Sequence, residues 1–491
     1  MLTAAILVPL LAAPVFALLP GRRPQALRAG AAAVSAVPLV LLGVTWTRFE
    51  GGPLPELVEA APWIPTLGVG YKVGVDGVSL SLAALTALLF LCAIAFPVDF
   101  RGRARQYFAA FLFLEAASLG VFLAVDLFLF YVFWDLNLVG MYFLIGVWGH
   151  GDAQRSALKF FLYTLAGSLA FLLAILGLYL ATDPRTFDMV EIMRQRPLPA
   201  GGLRSGLVFL GFAVGFAIKT PIVPLHTWLP PAHVDAPAPA SAILAGVLLK
   251  MGTYAFYRVL LEMMPGTFQK FALPLALFGV VSILYGALVA FAQSNLKRLV
   301  AYSSINHMGY VILGLAVAGS ALGDTSARSL ALVGATVEMV AHGLATGALF
   351  LISGSFWARA ESYEMPVFGG LAGRAPALTA ATILAAFASL GLPGLALFVA
   401  EIQIFAGTFA VYPLLAAIGL VGIIITAAMF LRMLQQIFLG SLPDRWASWT
   451  DLRRDEIAAL LPLLALLVLI GVAPAWLLGV IDATAQAVVG S

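Results

Sequence analysis

The stretch Phe216–Met251, FAIKTPIVPLHTWLPPAHVDAPAPASAILAGVLLKM, begins and ends in sequence apolar enough for a membrane span, yet it holds Lys219, His226, His233, Asp235 and Lys250. Six prolines fall between Pro221 and Pro239. Proline lacks the N–H donor and clashes with the preceding turn, so no regular helix crosses that density. In hydrocarbon the backbone groups freed by a break need partners, which only surrounding protein or a wet cavity can supply. Two lysines flanking such a break mark a place where charge sits inside the membrane.

The rest of the chain fits that setting. Of 491 residues, 62% are hydrophobic and 10% charged, and the mean hydropathy is +1.02. Apolar runs of roughly 20 residues recur along the whole length, the mark of a polytopic membrane protein. They lack alternating polarity, so the expected fold is all-α rather than a β-barrel. The net charge of +3 is too small to argue for nucleic acid, and the single cysteine, Cys92, excludes iron–sulfur clusters and disulfides. The opening MLTAAILVPLLAAPVFALL has no positive n-region and is followed by Arg22, Arg23 and Arg28, so it reads as a retained first span.

Working outward from the break gives about fourteen spans: near 2–19, 29–47, 78–97, 107–125, 127–148, 156–181, 205–230 (broken), 238–260, 271–292, 297–318, 328–357, 376–408 (broken), 412–440 and 456–482. The longest connection, 48–77, reads as an interfacial excursion anchored by Trp63 and Tyr71. Of the 27 Lys and Arg residues, fifteen fall in odd-numbered connections and nine in even-numbered ones. Lys219, Lys250 and Arg432 lie inside spans. The excess places odd connections in the cytoplasm and both termini on the outer side. The seventh span is interrupted at Lys219-Thr-Pro-Ile-Val-Pro and the twelfth at Gly391-Leu-Pro-Gly394. Matching interruptions are the trace of inverted repeats. The expected organisation is 1–106 (three helices), 107–265 (repeat one), 266–440 (repeat two) and 441–491 (a last helix).

Asp135, Lys219, Lys250 and His307 all lie deep in their spans, and Glu401 follows the second break. An ionised group at a helix centre costs about 2.5–3.5 kcal/mol, so such groups persist when paired, hydrated or titrated in their task. Asp135, Lys219, Lys250 and Glu401 read as functional, with interhelical ion pairs as the structural alternative. His307 and His342 fit a proton relay, a buried core role or haem ligation. Glu115 and Glu338 divide between relay and interhelical hydrogen bond, while His226, His233 and Asp235 could line a water entry. Arg432 can snorkel. No phosphate-cradling glycine loop, HExxH or nucleophile–base pattern is present.

The strings FWDLNLVGMYFLIGVWGH, FAIKTPIVPLHTWLPPAHVDAPAPASAILAGVLLKMGTYAFYR, LKRLVAYSSINHMGYVILG, MVAHGLATGALF and GLPG…FVAE resemble the antiporter-like, proton-pumping subunits of respiratory complex I. GVDGVSLSLAALTALLF is most similar to the M-type (mitochondrial subunit 4) branch. The resemblance implies fourteen helices, with two inverted five-helix repeats around broken helices seven and twelve, and a proton path through a central lysine. It carries relay roles onto Asp135, Lys219, Lys250, His307, His342 and Glu401. The helix-five acid, usually Glu, is here Asp135, so an ion pair with Lys219 needs a helix shift or a bridging water. Lys219 would be held charged by Asp135 and would release its proton through Lys250 and His307 toward Glu401. After GLPG this chain has LAL where the family often has small and polar residues. Glu401 separates it from the L, N and sodium/proton antiporter branches, which usually carry lysine there.

The implied activity is proton translocation within NADH:quinone oxidoreductase, in a bacterial-type inner membrane. The expected partners are neighbouring L- and N-type membrane subunits and the lipid bilayer. No cofactor, metal, NADH or quinone is expected on this chain. A multisubunit cation/proton antiporter or a membrane-bound hydrogenase is the alternative assembly.

Overall fold

The computed structural model describes residues 1–20, 23–52 and 54–490. Arg22, counted above among the odd-connection cations, lies outside them. Helices α1 (Leu2–Leu18) and α2 (Pro24–Arg48) precede an antiparallel hairpin of β1 (Glu56–Ile64) and β2 (Val69–Val75). The hairpin is the form taken by the 48–77 connection, read as an interfacial excursion in an otherwise helical fold: it folds back on itself, burying Val69, Val73 and Val75. Then come α3 (Gly77–Ala95), α4 (Ala104–Leu123), α5 (Leu127–Trp148), α6 (Ala153–Tyr179), a short α7 (Met189–Gln195) and α8 (Leu203–Lys219). After the break lie α9 (Leu229–Asp235), α10 (Ala238–Ile243) and α11 (Leu249–Ala255), with π turns at Leu244–Leu248 and Phe256–Leu261. The remainder is α12 (Pro265–Phe291), α13 (Leu296–Ala318), α14 (Thr325–Ala360), α15 (Pro376–Ser389), α16 (Ala396–Val411), α17 (Pro413–Phe438), α18 (Arg454–Val472) and α19 (Ala475–Gly490).

Helix starts follow from short polar side chains at the N-caps. The Asp126 carboxylate accepts from Phe128 and Leu129 N–H, which separates α4 from α5 at Val125-Asp126. Asp76 and Ser79 form a reciprocal capping box at α3. Proline at the first turn opens α12, α15 and α17.

Among the described residues, eleven helices are long and apolar enough to cross a membrane. The fourteen expected spans differ from that list in three ways. The first helix is shorter, the two broken segments are each divided, and the last expected span, 456–482, stops at Val472. Pro474 cannot continue α18, so the chain restarts as α19. The Ala238–Leu261 stretch and the central part of α14, from Ala331 to Ser353, are buried throughout, and α13 nearly so, whereas α2, α6, α12, α17 and α18 keep exposed apolar faces. The buried central helices are the ones that carry Lys250, His307, Glu338 and His342.

Candidate functional site

At the first break the freed backbone is accounted for group by group. Trp228 Nε1 donates to the Ile218 carbonyl at 2.9 Å, and the Val223 N–H donates to Ser282 Oγ at 3.1 Å. The Ile222 N–H reaches back to Ala217 O at 2.9 Å. Side chains from within the protein thus satisfy what hydrocarbon cannot. Lys219 is the last residue of α8, where the negative end of the helix favours a cation. Its Nζ is buried, lies 5.3 Å from the Trp134 ring centroid and has no hydrogen-bond partner.

Asp135 is not in contact with Lys219. Its carboxylate accepts a short hydrogen bond from Ser168 of α6, and Trp134 is the α5 side chain that faces the ammonium. The shorter aspartate is satisfied on its own side of the break. The Asp135–Lys219 ion pair therefore does not form in this structure.

Lys250 is wired differently. It lies just past the first π turn, where the widened backbone lets Nζ donate to the Ala245 carbonyl at 2.6 Å. The same Nζ is 2.6 Å from His342 Nδ1 on α14. The His342 and His307 rings are 5.1 Å apart between centroids. His307 Nδ1 is 3.0 Å from Glu338 Oε1. Ligand atoms of His307, Glu338 and Glu401 all lie within 4.8 Å of one another. One imidazole and two carboxylates are also donors that a transition metal accepts. Glu401, in the second turn of α16, rests against Gly391 at the second break. Gly391 has φ +75°, and a Cβ there would collide with the carboxylate. His307 Nε2, His342 Nε2 and Glu338 Oε2 are buried without protein partners.

α8 and α11 touch through backbone. A Cβ on Gly252 would fall 2.7 Å from the Thr220 amide nitrogen and 2.9 Å from the Phe216 carbonyl oxygen. Only glycine permits that approach, which brings the Lys219 and Lys250 segments together.

The accessory residues separate. Glu338 is in the cluster. His233 is fully buried, stacked on Phe350 at 4.5 Å, with both ring nitrogens unpartnered. His226 is buried against Tyr285 at 5.0 Å. Glu115 accepts from Ser35 of α2 at 2.8 Å, an interhelical hydrogen bond away from the relay helices. Arg432 lies at the bundle surface, donating to Phe291 O at 2.8 Å.

Two buried cations were read from the sequence as connection residues. Lys297 is fully buried, and its Nζ donates to Ala236 O at 2.5 Å and to Ser241 Oγ at 3.3 Å, capping the carbonyl end of α9. Its signal was helical phase: Lys297 precedes Ser304 by seven residues, and both are buried, while neighbouring Arg298 is exposed. Arg258 is buried too. Beside Lys297, the α5–α6 connection carries His150, stacked on Trp357 at 4.3 Å, with its backbone N–H donating to Asp235 O at 2.7 Å. Burial pushes the His150 imidazole down to about 4, and the Lys297 and Arg101 charges act in the same direction.

A buried succession of ionisable groups between interrupted helices defines a membrane protein of the ion-translocating class. Comparison with known proteins supplies the family. Residues 124–426 match the family described as NADH:quinone oxidoreductase/Mrp antiporter, TM. The chain is 37% identical over 430 residues to NADH-quinone oxidoreductase subunit M of Rickettsia prowazekii, covering 87% of this chain and 84% of that one. It is 38% identical over 486 residues to NAD(P)H-quinone oxidoreductase chain 4 1 of a Picosynechococcus strain, covering 96% and 89%. In structure it is similar to a chain of respiratory complex I from Thermus thermophilus with bound NADH, at TM-score 0.87 and 31% identity, covering 99% and 100%. It shares its fold with a chain of the Mrp complex from Dietzia at TM-score 0.85 and 22% identity, covering 99% and 96%. The chain belongs to the NADH:quinone oxidoreductase/Mrp antiporter transmembrane family.

Proposed function

We propose that this chain is the M-type membrane subunit of a proton-translocating NADH:quinone oxidoreductase, flanked by L- and N-type subunits, and that it moves protons while electrons pass through other subunits. The observation that carries this is the succession Lys250–His342–His307–Glu338–Glu401, in which each neighbour is in contact or one water away. The Lys250 ammonium gives its proton to His342 Nδ1 across 2.6 Å, within reach for direct transfer. The Nε2 atoms of His342 and His307 lack protein partners and the rings are 5.1 Å apart between centroids, so a bridging water would carry the proton from one ring to the other. His307 then passes a proton to Glu338 across 3.0 Å, and Glu338 shares its site with Glu401.

Lys297, Ser241 and His233 supply an entry branch from the odd-connection side. The Ser241 hydroxyl, 3.3 Å from Lys297 Nζ, donates to His233 O at 3.0 Å. Beyond Glu401 toward the even-connection side, Val317, Ala331 and Val411 pack together under a 2.9 Å Ser320–Tyr412 hydrogen bond. On this reading, parting that apolar contact would be the exit step. Lys219 joins the relay when a water or a shift of α8 gives its ammonium an acceptor. Removing the buried Lys297 and Arg258 from the topogenic count leaves the odd connections ahead. This supports a cytoplasmic odd side and outer termini. The two breaks support division into repeats at 107–265 and 266–440.

The test is NADH-driven acidification of inverted membrane vesicles. Glu401→Gln should remove pumping while electron transfer from NADH to an artificial acceptor shows that the complex is assembled. Full pumping in that variant would overturn the assignment.

A further inference from the structure

At the even-connection end of the Ala238–Leu261 stretch, away from the relay, the second π turn holds Tyr257 and Arg258 and is followed by Glu262. The Arg258 guanidinium binds three groups. Nη2 donates to Asp76, the N-cap of α3, in a short contact, Nη1 donates to Glu262 Oε2 at 2.7 Å, and Nε donates to the Tyr254 hydroxyl at 3.1 Å. The Tyr257 hydroxyl reaches both acids, 3.0 Å from Glu262 Oε1 and 3.4 Å from Asp76 Oδ2. The guanidinium carbon also lies 5.6 and 5.4 Å from the Tyr254 and Tyr257 ring centroids. Side-chain exposure is 3% for Arg258, 4% for Asp76 and 10% for Glu262, so only Glu262 borders the outside.

The charges do not balance. Two carboxyl groups face one guanidinium, and among the described residues no second cation pairs with either acid. Arginine keeps its proton in proteins. Two carboxylates sharing one buried site do not both stay ionised, because each raises the proton affinity of the other. The hydrogen-bond geometry completes the count. A phenol both donates and accepts, so Tyr257 can donate to an ionised carboxylate and accept from a protonated one.

We propose that Asp76, Tyr257, Arg258 and Glu262 form a proton-binding site that holds one proton between the two carboxyl groups and exchanges it with the even-connection face through Glu262. Neither Lys250 nor Glu401 is needed for its occupancy, so it stands or falls apart from the relay. The experiment is infrared difference spectroscopy on the membrane-extracted complex at neutral pH, in H2O and D2O. Glu262→Gln and Asp76→Asn each leave one acid for one guanidinium. Each should lose one carboxylic-acid carbonyl band that shifts on deuteration in the parent complex. Asparagine still caps α3, and glutamine keeps the shape of the protonated acid, so both variants are expected to assemble. A carboxylic-acid spectrum unchanged in both variants means both acids are ionised and overturns the proposal. A lost band that never shifts in D2O overturns exchange with the outer face.

Discussion

Lys219 and Lys250 are both buried, both beside an interruption of a helix, and placed close together by the contact at Gly252, but their surroundings differ. Lys250 has a carbonyl and an imidazole at 2.6 Å and continues through two histidines to two glutamates. Lys219 has an aromatic face and no acceptor, and the acid expected to hold it is bound to Ser168. An ammonium in a low-dielectric interior is costly without partners. On the proposed path the half from Lys250 to Glu401 is in contact in this conformation, and bringing Lys219 an acceptor would be the gating step.

Lys250→Ala cuts the assembled half and should have the largest effect. A positioned proton-transfer group contributes about 10²-fold or more, so proton uptake by inverted vesicles should fall to background. Survival of pumping within about twofold of the parent would contradict the assembled wire. Lys219→Ala should fall nearly as far. Asp135→Asn should be milder, roughly tenfold or less, because the Ser168 hydrogen bond is not a contact with the lysine. Asp135→Glu adds one methylene toward Lys219 and should be tolerated in the same assay. If Asp135→Asn instead matches Lys219→Ala, the two side chains meet during turnover, and the contrast belongs to one conformation only.

Gly252→Val tests the joint between the halves. Its side chain has no room against Thr220 and Phe216, and overpacking of this kind costs about 1–3 kcal/mol. The thermal midpoint of the extracted complex should drop by a few degrees, with pumping reduced more than NADH oxidation by an artificial acceptor.

The smallest effect concerns His150. Its folded-state value of about 4 lies below the ordinary 6.5. The neutral ring is therefore preferred on folding, and that preference is fully present above 6.5. Stability is lost as pH falls from 6.5 through 4, where the ring must charge beside Lys297 and Arg101. His150→Gln should make the thermal midpoint less sensitive to acid across that window. An unchanged acid slope would show that the ring does not titrate there.

Much of this was legible in the sequence, for a physical reason. Prolines at 221 and 224 and the GLPG turn announce their breaks locally, and Asp135, Lys219, Lys250, His307, His342 and Glu401 are conspicuous because hydrocarbon tolerates charge so poorly. What was not legible depends on contacts distant in sequence. Ser168 claims Asp135 from another helix, and nothing in FWDLN signals it. Lys297 and Arg298 look alike as a pair, and only helix phase sends one inward. Arg258 reads as a connection residue until Asp76, far earlier in the chain, is found opposite. The hairpin hides in the 48–77 connection, which has four prolines and no clean alternation, since one of its strands is largely exposed.

The π turn before Lys250 has a consequence for how this protein can change. A π turn accommodates one residue more than an α-helical ladder of the same rise, so deleting any one residue of Leu244–Leu248 would let the stretch relax to a regular helix. Everything after it would keep its phase relative to everything before it, because the residue removed is the one the wider turn absorbs. In the regular helix α12 the same deletion would turn every later side chain by about 100°. Single-residue deletions in the π turn should therefore be tolerated better than deletions in α12, although no side chain with a charge need be removed in either case.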